Sequence, residues 1–77
     1  MAERHTLDVT ILEPRLKHST IYTHFDALQP GDNFVIHNDH DPKPLYFALT
    51  HDRGETFTWE YLQQGPEIWE VKIGKKK

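Results

Sequence analysis

The sequence predicts an α+β domain, a two-layer βαβαββ sandwich in which two helices cover one face of a four-stranded sheet. Three observations predict it. Four short segments alternate apolar with polar residues, and two intervening segments carry apolar stripes at helical spacing. Proline and glycine clusters fall between them as turns.

Leu7, Val9 and Ile11 alternate with Asp8 and Thr10, the pattern of a first strand with one buried face, and Glu13-Pro14 ends it. From Lys17 to Leu28 the period becomes helical, with Ile21, Tyr22, Phe25 and Leu28 on one stripe. Pro30-Gly31-Asp32 stops that helix. Phe34 and Ile36 alternate with Val35 and His37 in a second strand. Asp41 and Pro42 open a second helix, whose Leu45, Ala48 and Leu49 form a short stripe, and Asp52-Arg53-Gly54 closes it. Phe57, Trp59 and Tyr61 alternate with Thr58 and Glu60 in a third strand. After the turn Gln64-Gly65-Pro66, Trp69, Val71 and Ile73 alternate with Glu70 and Lys72 in a fourth.

Both βα units are expected to cross over right-handedly, which places the helices on one sheet face. The other face then carries Asp8, Thr10, His37, Thr58, Glu60, Glu70 and Lys72. Val35, Leu62 and Ile68 join it as an apolar contact for a weak dimer, with a monomer as the other state. Trp59 and Trp69, on adjacent strands, are expected to form a core pair under the helices.

The chain has 77 residues, enough for one domain over 1–77 with an ordered core at about 6–74 and a solvated basic tail at 75–77. A domain this small buries only about 60% of its extended surface, so its four Phe, two Trp and three Tyr must supply much of the core. It has no cysteine, which excludes disulfides, thiolate zinc sites, cysteine-held iron–sulfur clusters and thiol catalysis. Folding without disulfides suits a reducing, cytoplasmic setting. No apolar run reaches the roughly 20 residues of a membrane span, and the polar start Met1-Ala2-Glu3-Arg4-His5 does not read as a signal peptide. A formal charge of −3 argues against general nucleic-acid binding, and the aromatic face of the third strand is expected to lie under the helices. Six histidines make the net charge vary between roughly pH 5 and 8. His5, His24 and His51 read as surface residues near element ends.

The segment Asn38-Asp39-His40-Asp41-Pro42-Lys43-Pro44-Leu45 carries the strongest functional signal. It reads as a strand end running into a helix start, with Asp41 as cap and Pro42 at the first helical position. His40 and Lys43 would then stand beside free backbone N–H groups, an arrangement suited to an anion, a carboxylate or a metal-bound ligand.

The run from Leu7 to Ile73 resembles a small bacterial family, domain of unknown function 2249. The resemblance rests on Leu7-Asp8-Val9, the Arg15/His18 region, Phe25-Asp26-Ala27-Leu28 with Pro30-Gly31, and the segment from Asn38 to Leu45. It continues through Trp59-Glu60-Tyr61 and Gly65-Pro66-Glu67 with Trp69. That family is similar in pattern to the SirA/TusA sulfur-relay group, which implies a mixed sheet with strand four running against the other three. The resemblance to the 2249 family itself implies a setting beside hemerythrin-like or nitrogen-oxide respiratory proteins. The group's persulfide-bearing Cys-Pro falls here on Glu13-Pro14, so the sulfur chemistry does not carry over even where the fold does.

With strands one to three parallel, both helix N-termini and the turn after strand three meet at one edge, where ligands of open α/β sheets tend to bind. Glu13, His18, Asp39, His40, Lys43, Gln64 and Glu67 can reach it as ligand-binding residues. His18 and His40 are candidate ligands for a divalent metal, zinc or iron, because two imidazoles with nearby carboxylates suit either. Each residue also has a structural reading: His18 shares the apolar face of its helix, and Asp41 is a cap. Lys43 reads equally as a partner of a ligand carboxylate, as a partner of Glu67, or as solvated.

Three functions are open on this reading. The first is a non-catalytic binding or accessory domain of redox or nitrogen-oxide metabolism, holding a metal, an anion or a partner protein at the edge. The second is a small metal-dependent enzyme using His18 and His40 with Glu13 or Glu67. The third is a structural domain acting through its open sheet face.

Overall fold

Residues 5–77 are described by the structure, a computed structural model. The strands are β1 (His5–Asp8), β2 (Asn33–Asn38), β3 (Phe57–Gln64) and β4 (Trp69–Lys75); the helices are α1 (Pro14–Ala27) and α2 (Lys43–Arg53). The sheet order is β1-β2-β4-β3, with β1 parallel to β2 and β4 antiparallel to both β2 and β3. Strands one to three therefore run one way and strand four against them, the mixed α+β sheet expected. No helix among the described residues is long and apolar enough to cross a membrane.

The core takes residues of one parity from β2, β4 and β3. Phe34 and Ile36 of β2, Val71 and Ile73 of β4 and Phe57 of β3 pack with Ile21 and Phe25 of α1 and Leu45 and Leu49 of α2. Both helices thus lie on one face. Each large side chain fully removed from water here contributes about 1.5–3 kcal/mol before conformational entropy is subtracted. The helices are also clasped together at the surface. Arg53 donates twice to the Asp26 carboxylate, at 3.0 and 2.8 Å, and its guanidinium lies 4.9 Å from the centre of the Tyr22 ring, while the Tyr22 hydroxyl donates to Asp52 at 2.6 Å.

The first strand is shorter than its alternation predicts. The Asp8 carboxylate accepts both the N–H and the hydroxyl of Thr10, and that side-chain cap folds Val9–Ile11 into a 3-10 helix. Val9 still reaches the core, whereas Ile11 is 79% exposed. Helix α1 starts at Pro14, three residues before the predicted Lys17, with Glu13 as its N-cap. Thr10 has consequently left the sheet face on which alternation placed it.

The polar face is laid out by register. Asp8, His37, Glu70 and Gln63 form one row, and Thr6, Val35, Lys72 and Glu60 the next. His37 Nδ1 lies 2.9 Å from Glu70, and Lys72 Nζ lies 3.3 Å from Glu60. Val35, expected as part of an exposed dimer patch, is only 2% exposed within the single chain and so offers no free apolar surface. Leu62 is exposed because the β3–β4 pairing is irregular between Tyr61 and Gln63.

The two tryptophans are not paired. Trp59 sits opposite Ile73 and Trp69 opposite Gln64, with the Tyr61 ring between them at 6.0 and 6.3 Å. The basic tail is also partly tied down. Lys75 belongs to β4 and its ammonium lies 5.2 Å from the centre of the Phe25 ring, while the Lys76 N–H donates to the Thr56 carbonyl at 2.9 Å. His24, expected at the surface, is half-buried, its ring tilted on Phe34 at 5.8 Å.

Candidate functional site

The topology gathers the ends of β1, β2 and β3 with the starts of α1 and α2, as a parallel βα arrangement must. At that edge the side chains pair among themselves. His40 Nδ1 lies 2.7 Å from Asp39, and this bond holds the Asp39 carboxyl below its ordinary range. Glu13 faces Arg15 at 3.6 Å, both well exposed. His18 lies parallel to the Tyr22 ring, with centroids 6.4 Å apart. Gln64 ends β3 and Glu67 lies in the turn that follows, both exposed. Among the described residues no group of three His, Cys, Asp or Glu is placed to hold a metal ion.

The start of α2 differs from the anion cradle its sequence suggests. Helix α2 begins at Lys43, and its N-cap is Pro42. The Lys43 N–H is taken by the Asp41 carboxylate at 3.1 Å, Pro44 has none, and the N–H groups of Leu45 and Tyr46 both bond the Pro42 carbonyl. The first turn is closed on itself, with no free donor for a ligand.

Lys43 points instead to another feature. Between α2 and β3 runs an open groove of about 770 Å³, within the usual range for small-molecule sites. Five of its lining side chains are aromatic: Tyr46 and Phe47 from α2, and Phe57, Trp59 and Tyr61 from β3. Phe57 forms a buried floor, Trp59 and Tyr61 are half-buried, and Tyr46 and Phe47 are 38% and 60% exposed. The rings meet edge to face: Tyr46 stands at 72° to Trp59 with centroids 5.3 Å apart, and at 71° to Phe57. Such packing leaves ring faces unstacked by their neighbours. The polar lining consists of Lys43, Thr50, Glu55 and Lys76. Lys43, Glu55 and Lys76 form no ion pair among the described residues. At the upper end, the Tyr61 hydroxyl donates to Asp41 at 2.9 Å; burial first, and this bond second, raise the Tyr61 pKa.

Residues 6–75 match the profile of the uncharacterised conserved proteins DUF2249. The chain belongs to that family. The match spans every groove residue except Lys76 and every edge residue proposed from sequence. No curated relative and no solved structure matches the chain.

Sequence reasoning missed the groove for two reasons. Tyr46 and Phe47 lie off the Leu45, Ala48, Leu49 stripe and so drop out of a core reading. Alternation puts the third strand's aromatics on the covered face, but β3 is an edge strand of the sheet and α2 covers it only in part. The available signal was an adjacent aromatic pair on the side of a short helix that its stripe leaves outside.

Proposed function

We propose that this domain is a non-catalytic binding module whose ligand lies in the groove between α2 and β3. One observation carries the reading: five aromatic side chains meet in an open groove, and the ones on its rim keep much of their surface in water. A domain of this size has few aromatic residues to spare from its core, and an exposed apolar cluster of this kind marks a contact site more often than a packing accident. The polar lining, two lysines, a threonine and a glutamate, can hold and orient a ligand. A cytoplasmic setting, supported by the absence of cysteine, and a place in redox or nitrogen-oxide metabolism beside hemerythrin-like or nitrogen-oxide respiratory proteins, supported by family resemblance alone, belong to this proposal.

The test is ligand-observed saturation-transfer NMR with a mixture of small aromatic compounds. Wild-type protein and the His18→Ala/His40→Ala variant should give the same set of binders. The Phe47→Ser variant, altered at an exposed side chain, should lose them. Loss of binding in the histidine variant with retention in Phe47→Ser would place the ligand at the strand-end edge and contradict the reading.

A further inference from the structure

We infer that the occupant of this groove is a flat aromatic anion, bound with its ring over Trp59 and Tyr46 and its charged group at Lys43. The inference rests on the binding reading above and adds the ligand's chemical class and its direction.

Flatness follows from the walls. Tyr46 is nearly perpendicular to Phe57 and to Trp59, and Trp59 is nearly perpendicular to Tyr61 at 82°. In an edge-to-face pair one ring sets its edge against a face of the other, so no ring here is stacked face to face, and Tyr46 and Phe47, 38% and 60% exposed, keep π surface in water that a planar ring can cover. An aliphatic guest would fill the volume without that match.

The charge and the direction follow from the two ends. Phe57 and Tyr61 are four residues apart on β3, which separates the ends by about 13 Å. At the Phe57 end, Lys76 hydrogen-bonds through its N–H to Thr56 and shares the groove with Glu55, close to the carbonyl terminus of α2. There a carboxylate and the negative end of the helix offset the lysine. At the Tyr61 end stands Lys43, with no ion pair, at the opposite terminus of the same helix. Asp41 is close by, but its Oδ1 already accepts the Lys43 N–H and the Tyr61 hydroxyl. The charges lining the groove are two lysines and one glutamate, with the Asp41 carboxylate just beyond the Tyr61 hydroxyl, and the Lys43 end is the more positive of the two because it lies at the N-terminal end of α2 whereas Lys76 has Glu55 and the C-terminal end beside it.

The test is a titration of the full chain with four probes: 2-naphthoate, 2-naphthylmethanol, 2-naphthylmethylammonium and cyclohexanecarboxylate. Binding is followed by the Trp59 indole N–H and the amides of α2 and β3 in two-dimensional NMR. 2-Naphthoate should bind tightest, with shifts at both Trp59 and Lys43. Lys43→Glu should weaken it roughly tenfold and leave 2-naphthylmethanol unchanged; Lys43→Gln, which only removes the charge, should fall between. Lys76→Glu should have the smaller effect. Equal affinity for 2-naphthoate and 2-naphthylmethanol, or a preference for the ammonium, would overturn the anion inference while leaving the groove as the binding site. Cyclohexanecarboxylate binding as tightly as 2-naphthoate would overturn flatness. If no naphthyl probe moves Trp59 or α2, the groove reading itself fails.

Discussion

Asp41 accepts two hydrogen bonds through one oxygen, from the Lys43 N–H that opens α2 and from the Tyr61 hydroxyl on β3. One carboxylate therefore caps a helix and ties it to the edge strand that forms the other wall of the groove. Asp41→Ala should cost about 1–2 kcal/mol in urea unfolding, the sum of a lost cap and a half-buried hydroxyl left without its acceptor; Asp41→Asn, which keeps the acceptor oxygen, should cost less. Equal stability of wild type and Asp41→Ala would show the bond to be dispensable. The clasp between the helices gives the pH dependence. Hydrogen bonds from Arg53 hold Asp26 below its ordinary range, and those from Tyr22 and then His51 do the same for Asp52. A carboxylate with a lowered folded-state pKa contributes stability above its unfolded value of 3.8 and loses it as the pH falls through the folded value. Tyr22 shows the opposite case. Burial, then the bond to Asp52, raises its pKa from 10.0 to about 12, so its contribution is complete below 10.0 and is lost as the pH rises to about 12. Tyr22→Phe should show a smaller fall in melting temperature across that alkaline window than wild type. An unchanged alkaline profile would mean that Tyr22 ionises equally in both states.

The turn between β3 and β4 depends on one residue type. Gly65 has φ of 62°, and a Cβ placed there would lie 2.8 Å from Cζ2 of Trp69. Gly65→Ala should destabilise the domain by about 1–3 kcal/mol in chemical denaturation, from backbone strain and displacement of the indole; no loss would show that Trp69 has room to move aside. The elements differ in how far the sequence announced them. Helix α2 and its glycine stop were legible because Leu45 and Leu49 fix the stripe and Gly54 follows Arg53. Strand β1 was over-read because alternation through Ile11 looks the same whether Asp8 caps a turn or the strand continues. The order β1-β2-β4-β3 is a matter of long-range pairing, and no local periodicity shows that β4 inserts between β2 and β3. With that order unread, the edge position of β3 was hidden, and with it the groove. The cluster of Asp39, His40 and Lys43 was visible in sequence as a polar turn. What sequence could not show is that the Asp41 side chain and the Pro42 carbonyl consume the very N–H groups that made the turn look like a site.

At the scale of the whole molecule, the fold divides its polar and aromatic chemistry between two regions. The sheet face opposite the helices carries ordered rows of charge, with His37 beside Asp8 and Glu70 and with Lys72 on Glu60. The opposite layer is packed tightly at its centre and opens along β3, where α2 leaves Trp59 and Tyr61 half-covered. A 77-residue domain has little depth in which to enclose a ligand, so a groove between a helix and an edge strand is the form that the proposed binding site takes. The most direct test is an isotope-filtered NOE experiment on the labelled protein with unlabelled 2-naphthoate. The account predicts contacts from naphthyl protons to the rings of Tyr46 and Trp59. Contacts to His18 or His40 instead would return the binding site to the strand-end edge and contradict the account.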